Sequence, residues 1–492
     1  MKRILTILLA LVMLLSCIGL ASCKKKSNET TTPEPTSDTV ATLAPGEDDE
    51  FNVPENLNYE GDFKVLLYET SNKEYCTTLD GNTDAIDSAL WQRDHYITDY
   101  VGVDMLYDVQ PGHYEKRHEF QTLVSTSILA NQATWDLIGG YSMVPPNLAS
   151  LGVLVDMNTL DYTDFDKAWY PRFMVDSCTI NNKTYFITGD ASINTLFRMQ
   201  GVVFSAKQAV AHGINEYDLY QMVYDGDWTL DAWLTMSKDL SKSTDGTWDE
   251  NDFYAIALPN YTWVDSFYFS SGLKMITEND SNVLEVSSDI IGDVAMNIFN
   301  KLNEYTDVHK TIGFVNTEKA INKGQCIFIL TTMESFRTYY VEATETYRVL
   351  PFPKYEAGTQ TDYQTTLGYG HVQYCISEDV KDPVRSSAVL QTMGYAGYTL
   401  VMPEVFENSM KLKYSSTNDV AKMFDIMRDG RNYDVSCLFY MTFGANGYKN
   451  ISTMFRMAYY DDIDNYVSNY KNNFEAGAVA VTNLLNRVYA GS

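Results

Sequence analysis

The chain has 492 residues, too many for one hydrophobic core, so two or more domains are expected. Its 65 acidic residues outnumber 36 basic ones, and a formal charge of −29 argues against a nucleic-acid partner, which needs a basic footprint. Acidity on this scale keeps a protein dispersed and discourages an anionic ligand, unless a local basic cleft overrides the total.

The chain opens on Lys2 and Arg3, followed by an apolar run from Ile4 to Leu20 broken only by Thr6, Ser16, Cys17 and Gly19. Leu20-Ala21-Ser22-Cys23 closes it. A positive start, an apolar core and small residues before a cut make a secretory signal. Here the small residues end at a cysteine, which resembles the lipobox of bacterial lipoproteins. The resemblance implies that residues 1–22 are removed and that Cys23 becomes the first mature residue and carries the lipid. The protein would then be exported across the cytoplasmic membrane and held on its outer face. The competing reading is one uncleaved membrane helix, since roughly 17–25 apolar residues span a bilayer. The run sits at the short end of that range.

Residues 23–57 read as a tether. Lys24, Lys25 and Lys26 would lie beside the membrane surface, and Ser27 to Asp49 is rich in Thr, Pro, Glu, Ser and Asp. Such a segment buries too little apolar surface to offset its ordering entropy. A flexible chain of this length reaches roughly 30–35 Å on average. A glycosylated stalk is the alternative for the Thr/Pro stretch.

From about Asn58 the patterns become regular. Lys64-Val65-Leu66-Leu67-Tyr68 predicts a buried strand, and Ile86, Leu90 and Ile97 recur at helical spacing. Asp104 to Val109 predicts a strand, His113 to Leu129 a helix, and Trp135 to Gly139 a third strand. Alternating strands and helices indicate a parallel sheet covered by helices. Loops after such strands lie at their carboxyl ends, where open α/β sheets bind ligands. A second unit follows. Gly201 to Phe204 is strand-like, and Ala206 to His212 is a short helix that Gly213 stops. Thr229 caps a helix carrying Leu230, Trp233, Leu234 and Leu240. Phe253 to Leu258 is a strand ended by Pro259. Ser288 is expected to cap a longer helix with Ile290, Ile291, Val294, Ala295, Ile298, Phe299 and Leu302 on one face. Gln325 to Leu330 and Tyr347 to Leu350 are further strands. Beyond Asp382, a cap with Pro383 at the first helical position, the chain reads mostly helical.

Chemical motifs are largely missing. There is no phosphate-binding loop, no nucleophile elbow and no metalloprotease helix. Gly368-Tyr369-Gly370 begins a dinucleotide pattern that Gln373 breaks. No catalytic residue, metal site or cofactor is implied. Asp245, Thr247, Asp249, Asn251 and Asp252 make an oxygen-rich loop that departs from the EF-hand pattern and reads as a solvated turn. Cys76, Cys178, Cys326, Cys375 and Cys437 are odd in number and lack paired spacing, so one disulfide stays possible without an assignment.

Several stretches resemble the family 1 extracellular solute-binding proteins, the carbohydrate-capturing lipoproteins of ABC importers. Gly226-Asp227-Trp228-Thr229-Leu230-Asp231-Ala232-Trp233 is similar to their helix-opening W-T motif. Ile187-Thr188-Gly189-Asp190 resembles the segment where the chain first crosses between lobes. Gly324-Gln325-Cys326-Ile327-Phe328 resembles their G-x-x-x-F strand, and Arg348 to Lys354 resembles the strand end before the second crossing. The resemblance implies an α/β, two-lobed fold of the periplasmic-binding-protein type II, each lobe a sheet flanked by helices, with the ligand cleft between. Lobe one would be 58–187 plus 367–412, and lobe two 188–366 plus 413–492. It further implies a monomer without enzymatic activity that closes on a hinge around its ligand and delivers it to permease subunits.

A sugar suits the composition: 13% of the chain is aromatic, with 36 Tyr and 7 Trp. Flat rings cover the apolar face of a pyranose, and carboxylates, amides or Arg take its hydroxyl rim. The candidate contacts follow strand ends or sit at the crossing: Ser71, Asn72, Tyr141, Asp190, Tyr261, Trp263, Glu334 and Arg337. Each has a plainer reading. Tyr261 and Trp263 could be core rings. Glu334 and Arg337 could be a surface helix pair. Asp190, Ser71 and Asn72 could be turn residues. An oligosaccharide ligand is favoured over a peptide or another solute, and over a tethered glycosidase.

Overall fold

The computed structural model describes residues 51–461, apart from 81–82, 260, 280–283, 317–319, 321–322, 341–342, 344, 359, 414–416 and 446–450, together with 478–479 and 482–483. The signal, Cys23 and residues 23–50 of the expected tether lie outside the described residues. The body begins earlier than composition suggests. Phe51 stacks on Tyr395 with ring centres 4.4 Å apart, and the buried Val53 accepts a hydrogen bond from the Tyr100 hydroxyl at 2.8 Å.

Two sheets organise the body. Their strands are β1 (Asp62–Tyr68), β2 (Asp104–Gln110), β3 (Leu137–Tyr141), β4 (Gln200–Ser205), β5 (Tyr254–Leu258), β6 (Ile312–Phe314), β7 (Cys326–Thr332), β8 (Tyr347–Leu350) and β9 (Val372–Cys375). The first sheet runs β9-β3-β1-β2 and the second β6-β5-β7-β4-β8. In the first, β1 lies parallel to both β2 and β3, and β9 returns antiparallel with Val372 opposite Tyr141. In the second, β5 is parallel to β6 and β7, while β4 runs antiparallel to β7 and β8. Both sheets are therefore mixed. Val65, Leu66, Leu67 and Tyr68 are all buried, as a strand covered on both faces requires.

Helix boundaries follow their caps. Helix α1 (Ala85–Val101) starts where Asp84 accepts a hydrogen bond from the Asp87 amide at 2.8 Å. It stops at Gly102, at φ +82°, where a Cβ would lie 2.8 Å from the Asn58 backbone. Helix α2 (Arg117–Leu129) is shorter than spacing suggests, because Tyr114–Lys116 forms a tighter 3-10 turn. Helix α3 (Val264–Phe269) follows β5. The helix expected from Ser288 begins later. Ser287 caps a short turn, Ser288–Ile291, and Gly292 is extended at ψ 163°, so helix α4 is Asp293–Asn303. Gly292 interrupts what the apolar spacing alone joined. Asp382 caps helix α5 (Pro383–Ala396), which packs beside α1.

The third strand also starts two residues late. The Trp135 indole donates to Asp108 at 2.9 Å and the Asp136 carboxylate accepts from the Lys64 amide at 2.8 Å, so these side chains are spent before the ladder begins. The oxygen-rich loop is self-satisfied: Asp252 accepts from the amides of Thr244 and Asp249 at 3.0 and 2.9 Å. The five cysteines from Cys76 to Cys437 are free thiols. Among the described residues, no helix is long and apolar enough to cross a membrane.

Among the described residues, two isolated pairings and a short ladder mark where the chain passes between the sheets. Ile187 pairs with Tyr374 on the first-sheet side, and Met199 pairs with Leu367 on the second-sheet side. Thr365–Thr366 runs beside Arg431–Asn432 as a short parallel ladder.

Candidate functional site

A cavity of about 430 Å³ lies where the ends of both sheets face each other. His113 and Tyr114 follow β2, Tyr141 ends β3, and Thr332 ends β7. Gln200 starts β4, which is antiparallel to β7, so it reaches the same edge directly opposite Thr332. Thr262, Trp263, Asp265 and Phe269 follow β5. The linking segment 366–370 closes the base, and Cys437, Tyr440 and Arg456 arrive from the helical carboxyl-terminal part. This is the carboxyl-end position at which open α/β sheets hold ligands.

Seven of the nineteen described lining residues carry aromatic rings, His113 included. His113 meets Tyr141 edge-on at 5.3 Å between ring centres, and Tyr369 meets Tyr440 at 5.9 Å. Tyr114 and Tyr440 bring their hydroxyls within 3.4 Å. Trp263 turns to the cavity but is only 8% exposed, so the ring is firmly seated. Burial, helped by the Arg198 charge, pushes His113 below the usual histidine range and leaves a neutral imidazole at neutral pH.

Charges in the wall are paired. Arg198 contacts Glu334 at 2.6 Å. Its Nε donates to the Gly370 carbonyl at 3.3 Å, and a Cβ at that glycine would sit 2.6 Å from the same nitrogen. Asp265 is 5% exposed, and its Oδ2 lies 3.3 Å from Arg456. Its Oδ1 is buried without a hydrogen-bond partner. Burial pushes the Asp265 carboxyl up to about 7, against the pull of Arg456. A buried acceptor with nothing to accept is costly unless something else fills it. The wall therefore offers flat apolar rings, balanced charges and one waiting carboxylate oxygen.

No family model and no curated protein matches the chain. Solved structures do. A cyclic alpha-maltosyl-1,6-maltose binding protein from Arthrobacter globiformis is similar at a TM-score of 0.54 and 14% identity, over 87% of this chain and 100% of that one. A cyclo/maltodextrin-binding protein complexed with maltotetraose gives 0.53 and 13% identity, over 87% and 98%. The GacH receptor of Streptomyces glaucescens, solved unliganded and with acarbose, gives 0.51 and 12%, also over 87% and 98%. The chain has the two-lobed solute-binding-protein fold.

Within this solute-binding fold the candidate residues fall into four groups. Tyr141 and Trp263 line the cavity. Ser71, Asn72, Glu334 and Arg337 instead meet one another at its rim. The Asn72 amide donates to Glu334 at 3.0 Å, Arg198 donates to the Ser71 hydroxyl at 3.2 Å, and Arg337 donates to the Asn72 side chain at 3.5 Å. Asn72 thus joins the loop after β1 to the turn after β7. Asp190 is buried at the first crossing, outside the cavity lining, and its backbone crowds Gly397, where a Cβ would meet the Asp190 carbonyl. Tyr261 opens the Tyr261–Trp263 turn, and its side chain is not among those described.

Several lining residues carried a signal that went unused. Asp265 is a lone carboxylate inside the apolar run Val264 to Phe269, a pattern that indicates a buried charge with a purpose. Tyr369 sits in the Gly-x-Gly that was weighed only as a nucleotide loop. His113 reads in the sequence only as the start of a helix. Arg198 and Arg456 had no local signal.

Proposed function

We propose that the chain is the ligand-capturing lipoprotein of an ABC importer, a member of the family 1 extracellular solute-binding proteins, and that it takes up a neutral carbohydrate. The observation that carries this reading is the ring-walled cavity built from both sheets, with the buried Asp265 oxygen left free to accept a hydroxyl. Rings cover the apolar face of a pyranose, and Asp265 and Gln200 meet its hydroxyls. Neighbours of the same fold whose names state cyclic maltosyl-maltose, maltodextrin or acarbose binding support the ligand class. In this reading Tyr141 and Trp263 contact the sugar, while Ser71, Asn72, Glu334 and Arg337 shape the rim.

The lobes are 58–187 plus 367–412 and 188–366 plus 413–492. They close on the linking segments when ligand touches both walls, because only differential affinity shifts such an equilibrium. The closed form is the one a permease receives, and the lipid on Cys23 keeps it at the membrane. The protein binds without turnover. Among the described residues lining the cavity, Asp265 is the one carboxylate, whereas glycoside hydrolysis calls for a flanking pair. A peptide ligand is disfavoured because its carboxylate end would find Arg198 and Arg456 already paired.

A thermal-shift screen against mono- and oligosaccharides and against peptides tests the ligand class. A cognate sugar at a hundred times its dissociation constant adds roughly 2.7 kcal/mol of stability. A shift with peptides and none with sugars would sink the carbohydrate reading. Small-angle scattering that shows no compaction on ligand addition would remove the hinge.

A further inference from the structure

A second cavity, of about 390 Å³, shares no lining residue with the first. One wall is Phe173 to Ser177, in the helix that follows the first-sheet strands β1 to β3. The opposite wall is Gly272 to Ile276, between β5 and β6. The base is Gln364 with Arg431 to Val435, at the short ladder that links the sheets.

The polar groups here divide by sign. The negative ones are engaged. Asp176 pairs with Arg172 at 2.8 Å. Asp434 accepts the Ser436 amide at 2.8 Å on one oxygen and the Met275 amide at 2.9 Å on the other. The donors are not. Arg431 spends its Nε on the Arg428 carbonyl at 2.9 Å and lays its guanidinium over the Phe173 ring at 5.2 Å. Its Nη1 is buried with no hydrogen-bond partner among the described residues. The exposed Lys274 ammonium and the Gln364 amide make no side-chain hydrogen bond or ion pair among the described residues. Asp190 interacts electrostatically with Arg431 without an ion pair among the described residues, and burial pushes its carboxyl up to about 7. It is therefore only partly ionised at neutral pH and leaves Arg431 short of a counter-charge.

A buried unpartnered guanidinium nitrogen needs an explanation, and a planar fork of donors fits an oxyanion better than any other small guest. We propose that this cavity binds a small inorganic oxyanion of phosphate or sulfate size, held by Arg431 and completed by Lys274 and Gln364. Such an anion sits against segments that follow both sheets and so braces them at the linking ladder. The site is independent of the sugar cavity and stands whether or not that ligand class is right.

Phosphorus NMR of inorganic phosphate with the full-length protein, at constant ionic strength against chloride, tests this. Saturable broadening is expected, with a matching saturable rise in melting temperature. General salting-out by phosphate rises without saturating, which separates the two effects. Arg431→Gln should weaken phosphate binding at least tenfold. Lys274→Gln, at an exposed position where folding is not at stake, should weaken it severalfold. Broadening that does not saturate, or that survives unchanged in Lys274→Gln and in folded Arg431→Gln, overturns the proposal.

Discussion

The rim and the floor of the first cavity hold similar polar residues in opposite circumstances. At the rim, Ser71, Asn72, Arg198, Glu334 and Arg337 meet one another at 2.6 to 3.5 Å. At the floor, Asp265 meets Arg456 with one oxygen and nothing with the other. A polar group already matched by the protein holds the structure together. A group buried and left unmatched is kept for something that arrives from outside, since its desolvation is otherwise uncompensated. Under the proposed function, the floor would read the ligand and the rim would fix how the two sheets meet around it.

Asp265→Asn tests the contrast most severely. The variant keeps the shape and removes the charge, so affinity for the cognate sugar should fall by about 1.5–3 kcal/mol, roughly 10- to 150-fold, in calorimetric titration. A folded variant with unchanged affinity would take Asp265 out of the site. The pH response carries the same signature. Asp265 and Asp190 titrate near 7 in the folded chain, against about 3.9 when unfolded. Between those values the folded state binds more protons, so stability should fall as pH rises from about 4 to about 7 and then level off. Asp265→Asn should flatten part of that slope in denaturant titrations at successive pH values. Sugar hydroxyls donate to the ionised form, so affinity should strengthen as pH rises through about 7.

Trp263→Ala should cost somewhat less, about 1–2 kcal/mol of binding, because it removes a stacking face and leaves Asp265 in place. Trp263→Phe should recover part of the loss. Loss of folding instead of affinity would return Trp263 to the ordinary core.

The contrast also marks how far the sequence could be read. Local chemistry gave the elements: Val65 to Tyr68 is apolar throughout, Thr229 and Asp382 cap their helices, and Gly213 ends one at φ +76°. Ser288 misled because Gly292 breaks a spacing that continues through it. The rule that ligand contacts follow strand ends leads to the edge where the first cavity lies: Tyr141 and Trp263 line it, and Ser71, Asn72, Glu334 and Arg337 meet Arg198 or one another beside it. It did not separate residues that face a guest from residues that face each other. That depends on partners far along the chain, such as Asp265 with Arg456 or Ser71 with Arg198.

Glu334→Gln has the smallest expected effect and the most pointed one. Its ion pair with Arg198 is partly screened, with both side chains 16% exposed, so the ligand-free protein should lose no more than about 1 kcal/mol of stability. The Asn72 contact survives, because a Gln carbonyl still accepts the amide proton. Affinity for a neutral sugar should change by less than about threefold, since the rim does not read the ligand. What should change is selectivity. With Glu334 neutral, Arg198 faces the cavity with an uncompensated charge, and an acidic sugar that the unaltered protein rejects should gain affinity. A neutral-sugar loss as large as that of Asp265→Asn, with no gain for the acidic one, would erase the distinction between rim and floor.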